Sequence, residues 1–117
     1  MKLDEYFPRE ELESVSKVIT NFHEDCFLNK KLSDKSAIVL VVYMLANKNK
    51  KNSVLVSDAK KLFVTLGRKE KSFLNRLSEL KKSRKKEGIV IDKTGELKLD
   101  QYGLGLKDRI LAGLNKK

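Results

Sequence analysis

The chain has 117 residues, 40% of them hydrophobic and 36% charged, with a formal net charge of +10. That is one domain's length, enough for a modest core without covalent staples. The longest uninterrupted apolar run, residues 37–46, falls short of the ~20 residues a membrane span needs, and the single cysteine excludes an intramolecular disulfide framework. The first residues, MKLDEYFPREE, are acidic and lack the apolar stretch of a signal peptide. Together with the cysteine content this points to a reducing, cytoplasmic setting. Charge is unevenly spread. Residues 1–47 hold six basic and eight acidic side chains, whereas residues 48–117 hold twenty basic and eight acidic. The second part is therefore the one suited to an anionic partner.

In chain order, residues 8–27 read as an amphipathic helix. Pro8 suits a first turn, Glu10, Glu11 and Glu13 suit the positive end of a helix dipole, and Leu12, Val15, Val18, Ile19, Phe22 and Phe27 recur at helical spacing. Ser33 or Asp34 can cap a second helix to about Asn47. Its centre, residues 38–45, is apolar on all sides, which means burial in the middle of the fold. The β-branched residues there also permit a buried strand, but the cap and the length favour helix. Residues 48–53 form a polar loop, and Val54, Leu55 and Val56 make a short strand candidate. Ser57 and Asp58 start a third helix with Leu62, Phe63 and Leu66 inward, and Gly67 stops it. A fourth helix is predicted over about 69–86. Residues 89–92 and 97–100, joined by Lys93-Thr94-Gly95-Glu96, read as a hairpin. Gly103 and Gly105 punctuate its exit, and Leu106, Ile110, Leu111 and Leu114 predict a short last helix over about 104–114.

Residues 68–86 hold nine basic and two acidic side chains and still keep an apolar stripe, so a helix there can pack on a core and offer charge to a polyanion. A basic helix beside a hairpin is a common way to hold duplex DNA. The order from residue 34 to 100 is helix, short strand, helix, helix, strand, turn, strand. This resembles a winged helix-turn-helix domain. SDAKKLFVTLG is similar to the helix before the turn, RKEKSFLNRLSELKKSRKKEG to the recognition helix and IVIDKTGELKLD to the wing. The resemblance rests on periodicity and spacing rather than on an invariant motif. It implies a mainly α fold with a small antiparallel sheet, a core over about 34–100 and an additional helix at each end, all in one domain. It also implies binding of double-stranded DNA, often by a homodimeric transcription regulator, with the recognition helix in the major groove and the wing along the backbone or minor groove.

Helical geometry then sorts the residues. Phe73, Leu74, Leu77 and Leu80 define the predicted buried side, and Arg68, Lys71, Ser72, Asn75, Glu79, Lys82 and Lys86 the opposite one, with Arg76 and Ser83 at its edge. The N-terminal part of a recognition helix usually reaches bases, which assigns Ser72, Asn75 and Arg76 to base edges. Lys69, Lys71, Lys82, Arg84, Lys85 and Lys86 suit phosphates, as do Lys93, Thr94 and Lys98 on the wing. Glu79 can accept from a cytosine or join an intrahelical ion pair near Lys82 or Ser83, and the second is favoured because such pairs are ordinary on helix surfaces. For each lysine the plain alternative is a solvated surface.

Enzymatic chemistry is not indicated. His23 and Cys26 stand three residues apart, but no second His or Cys exists to complete a zinc site, and Gly103-Leu104-Gly105 lacks the residues of a phosphate loop. No cofactor is expected. The terminal helices carry apolar stripes that can serve a homodimer or equally complete the monomer's core. Two other readings compete with the small regulator. One is a module that meets an acidic protein or RNA within a larger complex; the other is a nonspecific architectural DNA-binding protein.

Overall fold

The computed structural model describes residues 5–10, 32–83 and 87–115, with side chains up to residue 112. From residue 32 on, the described residues form four helices and a three-stranded antiparallel sheet, in the order α1 (Asp34–Asn49), β1 (Ser53–Val54), α2 (Val56–Thr65), α3 (Glu70–Lys82), β2 (Ile89–Ile91), β3 (Leu97–Leu99) and α4 (Gln101–Asn115). Of the helix predicted over 8–27, Arg9 and Glu10 are helical; the remainder lies outside the described residues.

Helix α1 is the central element. The Ser33 side chain caps it by accepting from the Ser36 amide, and nine consecutive residues from Ala37 to Leu45 are buried. A helix apolar all round must be surrounded, and α1 packs against α2, α3, α4, β1 and β3. It runs one turn's fraction past its predicted end, to Asn49. The Lys50 amide bonds the Asn47 carbonyl and the Lys51 amide bonds Ala46, with Lys50 left-handed at φ 55°. These paired bonds satisfy the last carbonyls in a Schellman arrangement, which Gly usually supplies and a lysine occupies here. Alongside, Phe7 packs on Tyr43 with ring centroids 6.2 Å apart, and the Asn47 amide donates to the Tyr6 carbonyl at 3.0 Å.

The sheet order is β1-β3-β2, so the middle strand is the last in sequence. Val54 stands opposite Leu97, which stands opposite Ile91, and Ile89 is opposite Leu99. Those residues face the core, while Ser53, Lys98 and Val90 share the outer face. The strand expected at 54–56 is shorter because Leu55 becomes the residue before α2 and its carbonyl accepts from the Ala59 amide. Between β2 and β3, the Asp92 carboxylate gathers the amides of Thr94 and Glu96 at 2.9 and 3.0 Å, and Gly95 supplies the left-handed residue at φ 85°.

Two predicted boundaries are corrected. The helix expected to begin near 104 begins at Gln101, because Asp100 caps it by accepting from the Gly103 amide at 2.7 Å. Gly103 is therefore not a break but a contact. A Cβ there would overlap the Gly88 carbonyl oxygen, so the glycine lets α4 press against the chain entering β2. The helix expected over 69–86 is shorter at its C-terminus: it ends at Lys82, where Ser83 turns extended at ψ 138°.

Candidate nucleic-acid interface

What holds α3 in place starts at the turn before it. Gly67, left-handed at φ 101°, ends α2, and the Arg68 amide returns to the Phe63 carbonyl. Helix α3 then packs back on α2 through Phe63 and Phe73, whose ring centroids are 5.6 Å apart, and an ion pair of 3.1 Å joins Lys60 on α2 to Glu70 on α3. On its other flank α3 meets β2.

The inward arc of α3 carries Phe73, fully buried, with Leu77 and Leu80 partly buried against the core. Arg76 lies on this inward half too. Its guanidinium bonds Glu79 at 2.9 Å and Glu87 at 3.0 Å, and its side chain is 11% exposed. Glu87 also receives Lys35 from α1 at 2.7 Å and the Ser83 hydroxyl at 3.1 Å. The Lys35 ammonium, the Arg76 guanidinium and the Ser83 hydroxyl together hold the Glu87 carboxyl at a pKa of about 2, well below its ordinary 4.5. This cluster clamps the end of α3 to α1. Arg68 performs a similar task at the other end, bonding Asp34 at 2.8 Å and the Leu32 carbonyl at 2.7 Å.

The outward arc is made of Glu70, Lys71, Leu74, Asn75, Ser78, Glu79, Lys81 and Lys82. At about 100° per residue its centre falls on Lys71, Leu74, Asn75 and Ser78, spaced i, i+3, i+4 and i+7. Both acids on its rims are already engaged, Glu70 by Lys60 and Glu79 by Arg76. The arc thus presents ammonium, amide, hydroxyl and one apolar group.

The residues predicted to carry function fall into three groups. Lys69, Lys71, Asn75 and Lys82 are exposed on or beside this arc, and Lys93, Thr94 and Lys98 are exposed on the hairpin. Arg68 and Arg76 are drawn into packing, and Ser72 is half-buried at the edge. Arg84, Lys85 and Lys86 lie outside the described residues. Sequence reasoning had put Leu74 on the buried side, yet it is 45% exposed, because the inward arc centres on Phe73, Leu77 and Leu80 and Leu74 lies past its edge. Ser78 was missed and Lys81 was not singled out. Glu79 pairs with Arg76, three residues before it, rather than near Lys82. That Arg-Glu spacing was the available signal that Arg76 has an internal partner.

The hairpin is less basic than its lysines suggest. Residues 89–100 hold Asp92, Glu96 and Asp100 against Lys93 and Lys98. Asp92 organises the turn, with the Thr94 hydroxyl 2.6 Å away lowering its pKa, and Asp100 caps α4. A second basic surface lies elsewhere. An open groove of about 580 Å³ between α1, the following loop, β3 and α4 carries Lys50, Lys51 and Lys98 over Tyr43, Leu99 and Leu104.

Among the described residues no helix is long and apolar enough to cross a membrane, and no three His, Cys, Asp or Glu side chains gather as metal ligands. Comparison of the chain with protein-family models, with curated proteins and with solved structures gives no match.

Proposed function

We propose that the chain is a winged helix-turn-helix DNA-binding protein, a small regulator of transcription that lays α3 in the major groove of duplex DNA. The element order α1-β1-α2-α3-β2-β3 and the sheet order β1-β3-β2 agree with that architecture. In this reading α2 and α3 are the helix-turn-helix pair, the turn at residues 92–96 is the wing, and α4 is an addition at the C-terminal end. The observation that carries the reading is the outward arc of α3. It combines base-reading chemistry at its centre with Lys81 and Lys82 at its C-terminal end, and its acids are neutralised from within the protein. Lys69, Lys71, Lys82 and the basic residues that follow supply phosphate contacts, which position the protein without reading sequence. Arg68 and Arg76 hold the helix rather than the DNA.

The test is a titration of the protein with a duplex at several salt concentrations. If about six phosphates are neutralised, log affinity falls with log salt at a slope of about −5. Absence of duplex binding at low salt refutes the reading. Enrichment of one sequence, and especially a palindrome, from a random pool separates a regulator from an architectural protein, since half-site symmetry mirrors protein symmetry.

The groove of Lys50, Lys51 and Lys98 favours a second reading, a module that meets an acidic protein partner. Against it, Lys48, Lys50 and Lys51 stand at the C-terminal end of α1, where cations are already favoured by the helix dipole.

A further inference from the structure

We infer that the centre of the α3 arc recognises an A·T step through the major groove, with Leu74 seated on the C5-methyl group of a thymine and Asn75 bonded to an adenine. The inference rests on the DNA-binding reading and goes beyond it by naming what the site reads. Leu74 is 45% exposed in the middle of a helix whose other outward residues are all polar. A lone surface leucine is ordinary. This one sits between Lys71, Asn75 and Ser78, in the centre of the outward arc, where there is no acidic side chain. A protein-docking face would set several large apolar groups together there, whereas the arc offers one.

The chemistry of the four side chains selects the ligand. In the major groove an A·T pair shows an acceptor and a donor on adenine, N7 and N6, and a methyl group on thymine. A carboxamide matches the first two in one bidentate contact, and an aliphatic side chain matches the methyl. Asn75 and Leu74 are neighbours in sequence and flank the axis of the arc, so they meet adjacent positions on the duplex. A G·C pair is read by an arginine or a lysine; the helix's arginine, Arg76, is turned inward and bonded to Glu79 and Glu87, and the outward Lys71 lies a turn away from the Leu74-Asn75 pair. Lys71 stands one turn nearer the N-terminus and takes the adjoining phosphate or a purine edge. Ser78, a turn further on, bonds to either.

The experiment uses the full chain and duplexes selected from a random pool. Each thymidine of the selected site is replaced in turn by deoxyuridine, which removes only the C5-methyl group. One such replacement is expected to weaken wild-type binding about fourfold, the worth of one methyl group taken from water. Leu74→Ala should bind the thymidine and deoxyuridine duplexes equally, and Leu74→Met should restore the difference. Asn75→Ala should lose at least about fivefold preference for A·T over G·C at one neighbouring position. A selected site without A·T pairs, or a deoxyuridine penalty that persists in Leu74→Ala, overturns the inference and leaves DNA binding standing. Absence of any duplex binding by the wild-type chain overturns both. Unchanged thermal melting of the variants shows that the losses are not losses of fold.

Discussion

The inward and outward arcs of α3 use charge in opposite ways. Inward, Arg76 is nearly closed off from solvent and held by Glu79 and Glu87, with Lys35 and Ser83 completing the cluster. A guanidinium held in that way orients the helix and is little exposed to a ligand. Outward, Lys71, Lys81 and Lys82 are exposed on flexible stems. They suit a diffuse polyanion, whose contacts are many and interchangeable. Basic residues five or six positions apart in sequence thus serve architecture or binding according to which side of the helix they fall on.

The largest expected effect tests the rotation of α3 about its axis. Phe73→Ala removes a fully buried ring that packs at a tilt against Phe63, and should cost about 3–5 kcal/mol. Leu74→Ala, one residue on, should change stability by no more than about 0.5 kcal/mol. Urea midpoints of the two variants decide the matter. Equal costs would mean that the helix is turned so that Leu74 shares the core.

A smaller effect tests the clamp. The pKa of Glu87 is lowered from 4.5 to about 2, so the stability it contributes is fully present above about pH 4.5 and is lost as the pH falls toward about 2. Glu87→Gln should therefore melt below the wild-type protein at pH 7, and the gap should close as the pH falls to about 2. Asp92, whose pKa is also lowered, contributes equally to both proteins and cancels in the difference. A gap that is constant with pH would show that the ion cluster does not hold α3.

The contrast between the two arcs also marks how far the sequence could be read. Local signals were legible. Ser33 capping α1, Gly67 closing α2, the hairpin around residues 92–96 and the inward run of Phe73, Leu77 and Leu80 all lie where periodicity and turn chemistry put them. Long-range partners were not. Arg68 reads as a free cation until Asp34 and Leu32, more than thirty residues earlier, are seen to meet it. Arg76 depends on Glu87, which returns to it only after the chain has left α3. Gly103 reads as a helix breaker because its reason, the close approach of Gly88, belongs to tertiary packing. Within the candidate interface, therefore, the described lysines and Asn75 were legible as outward, Arg76 was placed at the edge, and Arg68 and Leu74 fell on the wrong side of a boundary that only packing defines.

The smallest effects compare α3 with the hairpin as binders of phosphate. Lys71→Gln and Lys82→Gln should each lower the salt slope of duplex binding by about one, uniformly across sequences and without loss of stability. Lys93→Gln and Lys98→Gln should lower it less. The hairpin brings Asp92, Glu96 and Asp100 along with its two lysines, so its local field does not favour a polyanion. Those acids are not free to be lost, since Asp92 builds the turn and Asp100 caps α4. A hairpin so constituted offers a polyanion Lys93 and Lys98 among three acidic side chains. Should the hairpin variants lower the slope by about two together and the α3 variants leave it unchanged, the duplex would lie against the sheet's outer face, and α3 would have to be reassigned to packing on both of its arcs.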